Sequence, residues 1–180
     1  MTEIRVIALP TETVQRVLRT KRSPGYGHPA YTELATGYGP CRHCLQTFRV
    51  GEELRTLFTC NPFYMVASVP APGPVFIHTE GCERYDETAG YPEQLLDYPV
   101  VMDGYDLEQR LVTQRTASGN HETVLHEIFA DVTVQYVLVR DHEAGCFDFR
   151  VERLEVNWWN RRLSPGCGEP ERMLMRSGVE

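Results

Sequence analysis

Runs and alternations of apolar residues predict a series of short strands along this chain. The clearest alternation lies at residues 146–154, where Phe147, Phe149 and Val151 point to one face and charged residues point to the other. We therefore expect one wet face on this strand. Further strands are predicted at residues 4–9, 54–60, 75–78, 100–105, 111–116 and 132–139, and a turn at 141–145 makes the last of these the hairpin partner of 146–154.

Two other segments have the apolar spacing of a helix that packs on a sheet. Thr11 is expected to be the N-cap of the first, in which apolar residues recur at positions 14, 17 and 18. Asn120 is expected to cap the second, in which positions 124, 125, 128 and 129 form an apolar stripe. Residues 92–98 are predicted to form a third, short helix.

Glycine and proline interrupt the remaining segments. Residues 23–40 hold four glycines and three prolines and are predicted to form a loop, and the connection after residue 60 is rich in proline. Because the helices are scattered among hairpins without regular βαβ alternation, the pattern predicts an α+β fold, a mainly antiparallel sheet with two or three packed helices.

The length of 180 residues predicts one domain, which we place at residues 1–154. Residues 155–180 have no sustained period and are predicted to be a C-terminal tail. Trp158 and Trp159 are expected to dock this tail on its own domain or on a second subunit, which makes a homo-oligomer one prediction.

Charge excludes some partners. With 25 acidic and 18 basic residues the net charge is −7, so the chain repels nucleic-acid backbones and anionic lipid surfaces. No apolar run reaches the length of a membrane span, and the first ten residues lack the pattern of a secretory signal. We therefore expect a cytoplasmic protein that binds neither nucleic acid nor membrane. The sequence does not indicate a particular small-molecule ligand.

Cysteine and histidine carry the candidate chemistry. In a reducing cytoplasm, closely spaced cysteines are more often metal ligands, redox groups or buried thiols than disulfides. Cys41 and Cys44 form a Cys-x-x-Cys pair that resembles a zinc knuckle, in which a tight turn aims both sulfur atoms at one ion. His78 and Cys82 are the best second pair. These four residues make a Cys3His set, and Zn²⁺ is the predicted cofactor.

The two pairs are far apart in the chain, with 33 residues between Cys44 and His78. They can meet only if the fold brings them together, for example by pairing the predicted strands 54–60 and 75–78. If four protein ligands close the site, zinc is structural. If one ligand is absent, a bound water becomes a nucleophile.

Other chemistry is compatible with the same residues. Cys41 and Cys44 are a candidate redox dithiol, although such motifs normally open a helix. Cys82 or Cys60 is a candidate nucleophile with His78 as its base. Cys60, Cys146 and Cys167 otherwise count as ordinary thiols. The segment from His121 to His126 is no zincin motif, because its histidines lie about 140° apart around a helix.

Several short segments together resemble a bacterial family of uncharacterised proteins, domain of unknown function 1203. They are Pro40–Leu45, Gly51–Glu53, Gly73–His78 with Cys82, and Gly145–Arg150. The resemblance covers roughly residues 4–154. It implies a small, single-domain cytosolic bacterial protein and adds no reaction.

Three classes of function follow. The leading hypothesis is a cytoplasmic domain that binds zinc through the Cys3His set and serves as a binding or accessory module. The alternative is an enzyme that uses zinc-assisted hydrolysis or cysteine-based thiol or redox chemistry. A third hypothesis is a structural homo-oligomer assembled through the tail.

Overall fold

Strands dominate the computed structural model, which describes residues 4–37, 39–63 and 71–154. The strands are β1 Ile4–Ile7, β2 Tyr31–Leu34, β3 Leu54–Cys60, β4 Gly73–His78, β5 Val100–Tyr105, β6 Leu111–Ala117, β7 Tyr136–Asp141 and β8 Phe147–Arg153. The helices are α1 Thr11–Thr20 and α2 His121–Ala130, and a single 3₁₀ turn covers Glu93–Leu95. The predicted tail, with Trp158 and Trp159, lies outside the described residues.

The strands form two antiparallel sheets. Five strands pair in the order β1-β8-β7-β5-β6, and three pair in the order β2-β3-β4. This confirms the mainly antiparallel architecture. The described residues hold two α-helices, within the predicted two or three, but the predicted helix at 92–98 is only the 3₁₀ turn. Strands dominate the fold, so the α+β class is only roughly confirmed.

Strand β7 shows why the larger sheet lies at the centre of the molecule. Its four apolar residues are all buried, with Val137 and Val139 in one core and Tyr136 and Leu138 in the other. The apolar stripe of α2 packs in the first core. Residues of α1 and of the smaller sheet pack in the second. The larger sheet is therefore covered on both faces.

This double coverage overturns the prediction of a wet face on β8. Asp148 and Arg150 belong to that face and are buried. Asp148 pairs with a buried arginine, Arg42, and the Arg150 guanidinium stacks 3.8 Å from the centre of the Tyr136 ring. Charged residues occupy this face because it meets other protein groups that neutralise them.

Two local predictions at the N-terminal end are also wrong. Pro10, not Thr11, is the N-cap of α1, and Thr11 is the first helical residue. The predicted loop at residues 23–40 contains β2, whose four side chains are all exposed. An exposed edge strand has no apolar face, so its sequence carries no alternation to detect.

The hairpin of β3 and β4 is the part of the fold that positions the candidate site. The two strands pair as the sequence predicts, with Arg55 opposite His78 and Cys60 opposite Gly73. His78 is the last residue of β4, and Cys82 follows in the next loop. No helix in the described part of the chain has the length and apolar character to cross a membrane.

Candidate metal centre

The segment from Cys41 to Cys44 lies alongside the end of β4. Cys41 forms an isolated parallel bridge with Phe76, and the Arg42 amide donates to the Phe76 carbonyl at 2.9 Å. Residues 42–44 form a turn, closed by the Leu45 amide donating to the Cys41 carbonyl at 2.8 Å. No helix follows this turn, so the motif lacks the helix N-terminus that activates a redox dithiol. The tight turn that the sequence predicts is therefore present, and we call residues 41–45 the knuckle.

Leu45 ends the knuckle in a left-handed backbone conformation, with φ at 57°. A residue with a Cβ atom adopts this conformation at a cost of about 1 to 2 kcal/mol. Its side chain is fully buried and belongs to the core beneath α2. The buried side chain compensates for the backbone strain.

Arg42 anchors the knuckle to the larger sheet. Its side chain and that of Asp148 are 3% and 1% exposed, and their nearest charged atoms are 2.7 Å apart. The Arg42 Nε also donates to the Phe147 carbonyl at 2.7 Å. Asp148 and Phe147 both belong to β8, so this buried cation joins the two sheets at the base of the knuckle.

The four predicted ligands come together at this point. One donor atom from each of Cys41, Cys44, His78 and Cys82 lies within 4.8 Å of all the others. Cys41 and Cys44 are buried, whereas His78 and Cys82 are partly exposed. All three cysteines are free thiols. The strand pairing of β3 with β4 closes the 33-residue gap, as the sequence analysis required.

Two distances in the cluster match a tetrahedral ion. The sulfur atoms of Cys41 and Cys82 are 3.7 Å apart, and Cys44 Sγ lies 3.5 Å from His78 Nδ1. In a tetrahedral zinc site these separations are about 3.8 Å for two sulfurs and about 3.6 Å for sulfur and nitrogen. The two distances share no atom, so between them they involve all four donors.

The His78 ring is held on two sides. Its Nδ1 faces the cluster, and its Nε2 lies 3.6 Å from the Glu53 carboxylate. The Phe48 ring packs against it with the ring centres 4.5 Å apart. The backbone amide of Arg49 lowers the pKa of Glu53, which therefore stays ionised and faces the outer nitrogen of the imidazole.

His43 lies inside the knuckle sequence but is not one of the four clustered donors. Its Nδ1 is 3.3 Å from Cys82 Sγ, and its Nε2 is 3.0 Å from Thr11 Oγ1. Burial lowers the pKa of this histidine. Sequence reasoning missed both His43 and Glu53, although both stand within the segments that were singled out.

Protonation of the cluster is uneven. Burial opposes ionisation of Cys41, but hydrogen bonds with the other three donors outweigh it and lower the pKa of that thiol. Hydrogen bonds with Cys41 and Cys44, and then burial, raise the pKa of Cys82. The same two cysteines raise the pKa of His78 to about 10. Zinc binds thiolates and a neutral imidazole, so a metal ion would release protons from this cluster when it binds.

The structure distinguishes between the two candidate nucleophiles, Cys60 and Cys82. Cys60 stands opposite Gly73, five residue pairs along the hairpin from His78, a separation of about 17 Å. Cys60 is also disulfide-bonded, so the predictions that it is an ordinary thiol or a nucleophile with His78 as its base are wrong. Cys82 stays close to an imidazole, because it contacts His43 as well as lying in the cluster with His78.

Comparison with known proteins gives a family and no function. No curated protein and no solved structure matches the chain significantly. A family model described as "Protein of unknown function (DUF1203)" matches residues 38–153. This range includes the four clustered donors, His43 and Glu53, and it leaves out β1, α1 and β2. The match spans more than half of the chain, so the chain belongs to the DUF1203 family.

Proposed function

We propose that Cys41, Cys44, His78 and Cys82 bind one zinc ion, and that this ion is structural. The observation that carries the proposal is the convergence of four soft donors, from two distant segments, within 4.8 Å of one another. Three sulfur donors and one imidazole favour zinc over magnesium or calcium, which prefer oxygen ligands.

A structural role follows from the number of ligands. Four protein donors fill a tetrahedral shell, so no coordination position stays open for a catalytic water. Cys41 and Cys44 are buried in the apolar core shared by both sheets. The ion would hold the knuckle and the loop after β4 against the β3–β4 hairpin, and the domain would act as a rigid binding or accessory module. A reducing compartment such as the cytoplasm suits this role, because the thiolates must stay reduced.

A thiol enzyme is the second candidate, and one specific contact favours it. Cys82, His43 and Thr11 form a chain of side chains in which a nucleophile contacts a base and the base contacts an orienting hydroxyl. The Cys82 sulfur also lies in the four-donor cluster, where a bound metal ion would occupy the lone pair that a nucleophile needs. We therefore rank metal binding first.

Elemental analysis of the purified full chain tests the proposal. We expect about one zinc per chain in protein prepared without chelator, and loss of that zinc in Cys41→Ser and His78→Ala. Cys146→Ser is the matched control, since Cys146 is a free cysteine outside the cluster. It should keep its zinc.

Two results would contradict the proposal. The first is wild-type protein that holds no metal as purified and takes up none from a zinc solution under reducing conditions. The second is zinc that stays bound in both cluster variants. Metal-free protein in which iodoacetamide modifies Cys82 rapidly at neutral pH, and more slowly in His43→Leu, would favour the thiol enzyme instead.

A further inference from the structure

Two polar side chains, those of Glu53 and His43, approach the four donors from outside the cluster. We propose that Glu53 and His43 orient the metal ligands: Glu53 accepts a hydrogen bond from the outer nitrogen of His78, and His43 donates one to the Cys82 sulfur. This inference rests on the proposed zinc site. It assigns to the two residues a positioning role that the family match does not provide.

Glu53 is placed for this role by its own anchors. Its Oε2 accepts from the Arg49 amide at 2.8 Å, and its Oε1 accepts from the Arg49 Nε at 3.1 Å. These bonds hold the carboxylate in place just before β3 begins. The same Oε2 lies 3.6 Å from His78 Nε2, and metal binding at Nδ1 would leave Nε2 protonated and facing the carboxylate.

The geometry of the His78 ring supports the same arrangement. Nδ1 faces the cysteines and Nε2 faces Glu53, so the two ring nitrogens have different partners. A carboxylate behind a metal-bound histidine fixes which nitrogen carries the proton and makes the other a stronger ligand. Glu53 would therefore select Nδ1 of His78 as the ligand atom.

His43 acts on the opposite side of the cluster. It is buried, and its Nδ1 lies 3.3 Å from Cys82 Sγ. A metal-bound thiolate only accepts hydrogen bonds, so Nδ1 must be the donor. Nε2 then accepts from the Thr11 hydroxyl at 3.0 Å. The hydroxyl at the start of α1 would thus set the tautomer of the histidine that supports the sulfur ligand.

The net charge of the proposed zinc centre gives a reason for the contact between His43 and Cys82. Three thiolates and one neutral imidazole around Zn²⁺ leave a net charge of −1 on the centre. Of the three sulfur donors, Cys82 is the one that is partly exposed. A hydrogen bond from His43 would disperse the negative charge on this sulfur and lower its reactivity toward electrophiles.

Zinc affinity measured by competition with a chromophoric chelator tests the proposal in the full chain. We expect Glu53→Ala and His43→Leu to bind zinc about 10- to 100-fold more weakly than wild type. Glu53→Gln should lie between, because its amide oxygen can still accept. Glu52→Gln is the matched control: its side chain is 69% exposed, and removing its charge should leave affinity within about twofold.

A spectroscopic measurement separates positioning from stability. In Co²⁺-substituted protein, loss of a hydrogen bond to a sulfur ligand shifts the sulfur-to-cobalt charge-transfer band. We expect this shift in His43→Leu and, more weakly, in Thr11→Val, while Thr11→Ser should keep the wild-type spectrum. The two Thr11 variants keep the test decisive even if buried His43 proves intolerant of substitution.

The outcomes distinguish the two proposals. If wild-type protein binds no zinc, the metal site itself is wrong and this inference with it. If wild-type protein binds zinc but Glu53→Ala matches it in affinity, and Thr11→Val matches it in spectrum, the zinc site stands and the positioning role is wrong.

Discussion

Arg42 and Asp148 form a buried ion pair, 2.7 Å between charged atoms, directly beneath the knuckle. Arg42 stands between Cys41 and the buried His43. Its side chain reaches β8, while Cys41 and Cys44 belong to the four-donor cluster. The pair therefore determines where the knuckle sits on the larger sheet, and its strength affects the whole cluster.

Breaking this pair should strongly destabilise the protein. We expect Arg42→Met to lower the free energy of unfolding by about 3 to 5 kcal/mol, because it leaves a buried carboxylate without its partner. Denaturant unfolding measures the change. Arg115→Met is the control, since Arg115 is exposed on β6, and a change there should stay within about 0.5 kcal/mol. Equal effects of the two variants would contradict the buried pair.

The same carboxylate should give the protein a particular pH dependence. Burial raises the pKa of Asp148 to about 6, and the Arg42 charge only partly opposes this. A raised folded-state pKa means that the folded protein binds a proton more tightly than the unfolded chain, so the Asp148 contribution to stability is full below about pH 4 and is lost as pH rises to about 6.

Unfolding at a series of pH values isolates that contribution. We expect the stability of wild type relative to Asp148→Asn to fall by roughly 2 kcal/mol between pH 4 and pH 6 and to level off above about pH 7. A constant difference across this range, or one that grows with pH, would show that the pKa of Asp148 is not raised.

The backbone conformation of Leu45 predicts an unusual order of stability for its alanine and glycine variants. Leu45→Ala should lose about 2 to 5 kcal/mol by emptying a buried site. Leu45→Gly loses the same contacts but relieves the positive φ of 57°. Glycine should therefore be at least as stable as alanine here, whereas it is usually the worse choice. Thermal unfolding of the pair, with zinc present, measures the order, and a glycine variant clearly below alanine would contradict the strain.

Zinc removal should lower thermal stability. An ion that binds only the folded chain stabilises it by about 2.7 kcal/mol when its free concentration is 100 times the Kd. We expect a chelator to lower the Tm of wild type and of Cys146→Ser, and to leave the Tm of Cys41→Ser unchanged. Calorimetry with and without chelator measures the shift, and a shift that persists in Cys41→Ser would mean that the metal binds elsewhere.

The parts of the fold that sequence predicted are those with a local signal. The hairpin of β7 and β8 and the stripe of α2 follow from residues that are neighbours in the chain. The covered face of β8 could not be predicted in this way. A charged residue such as Asp148 is typical of a surface, and only the folded chain places the distant Arg42 beside it. The exposed strand β2 gave no signal and depends on its pairing with β3.

The candidate site divides in the same manner. Residue type and short spacing predict Cys41 with Cys44 and His78 with Cys82, and strand pairing brings the two pairs together. The positions of His43 and Glu53 depend on which way each side chain turns in the folded protein. Their place in the sequence marks them as neighbours of ligands and says nothing about which ligand they touch.

The pairing of β1 with β8 has a consequence for synthesis. Ile4 pairs with Arg153, so the first strand of the larger sheet must wait for the last one to leave the ribosome. At 5 to 20 residues per second this delay is roughly 7 to 30 seconds. The β3–β4 hairpin and both pairs of clustered donors emerge earlier in that interval. The Cys3His cluster can therefore assemble on the nascent chain, whereas the larger sheet is completed only after nearly all of the described domain has been made.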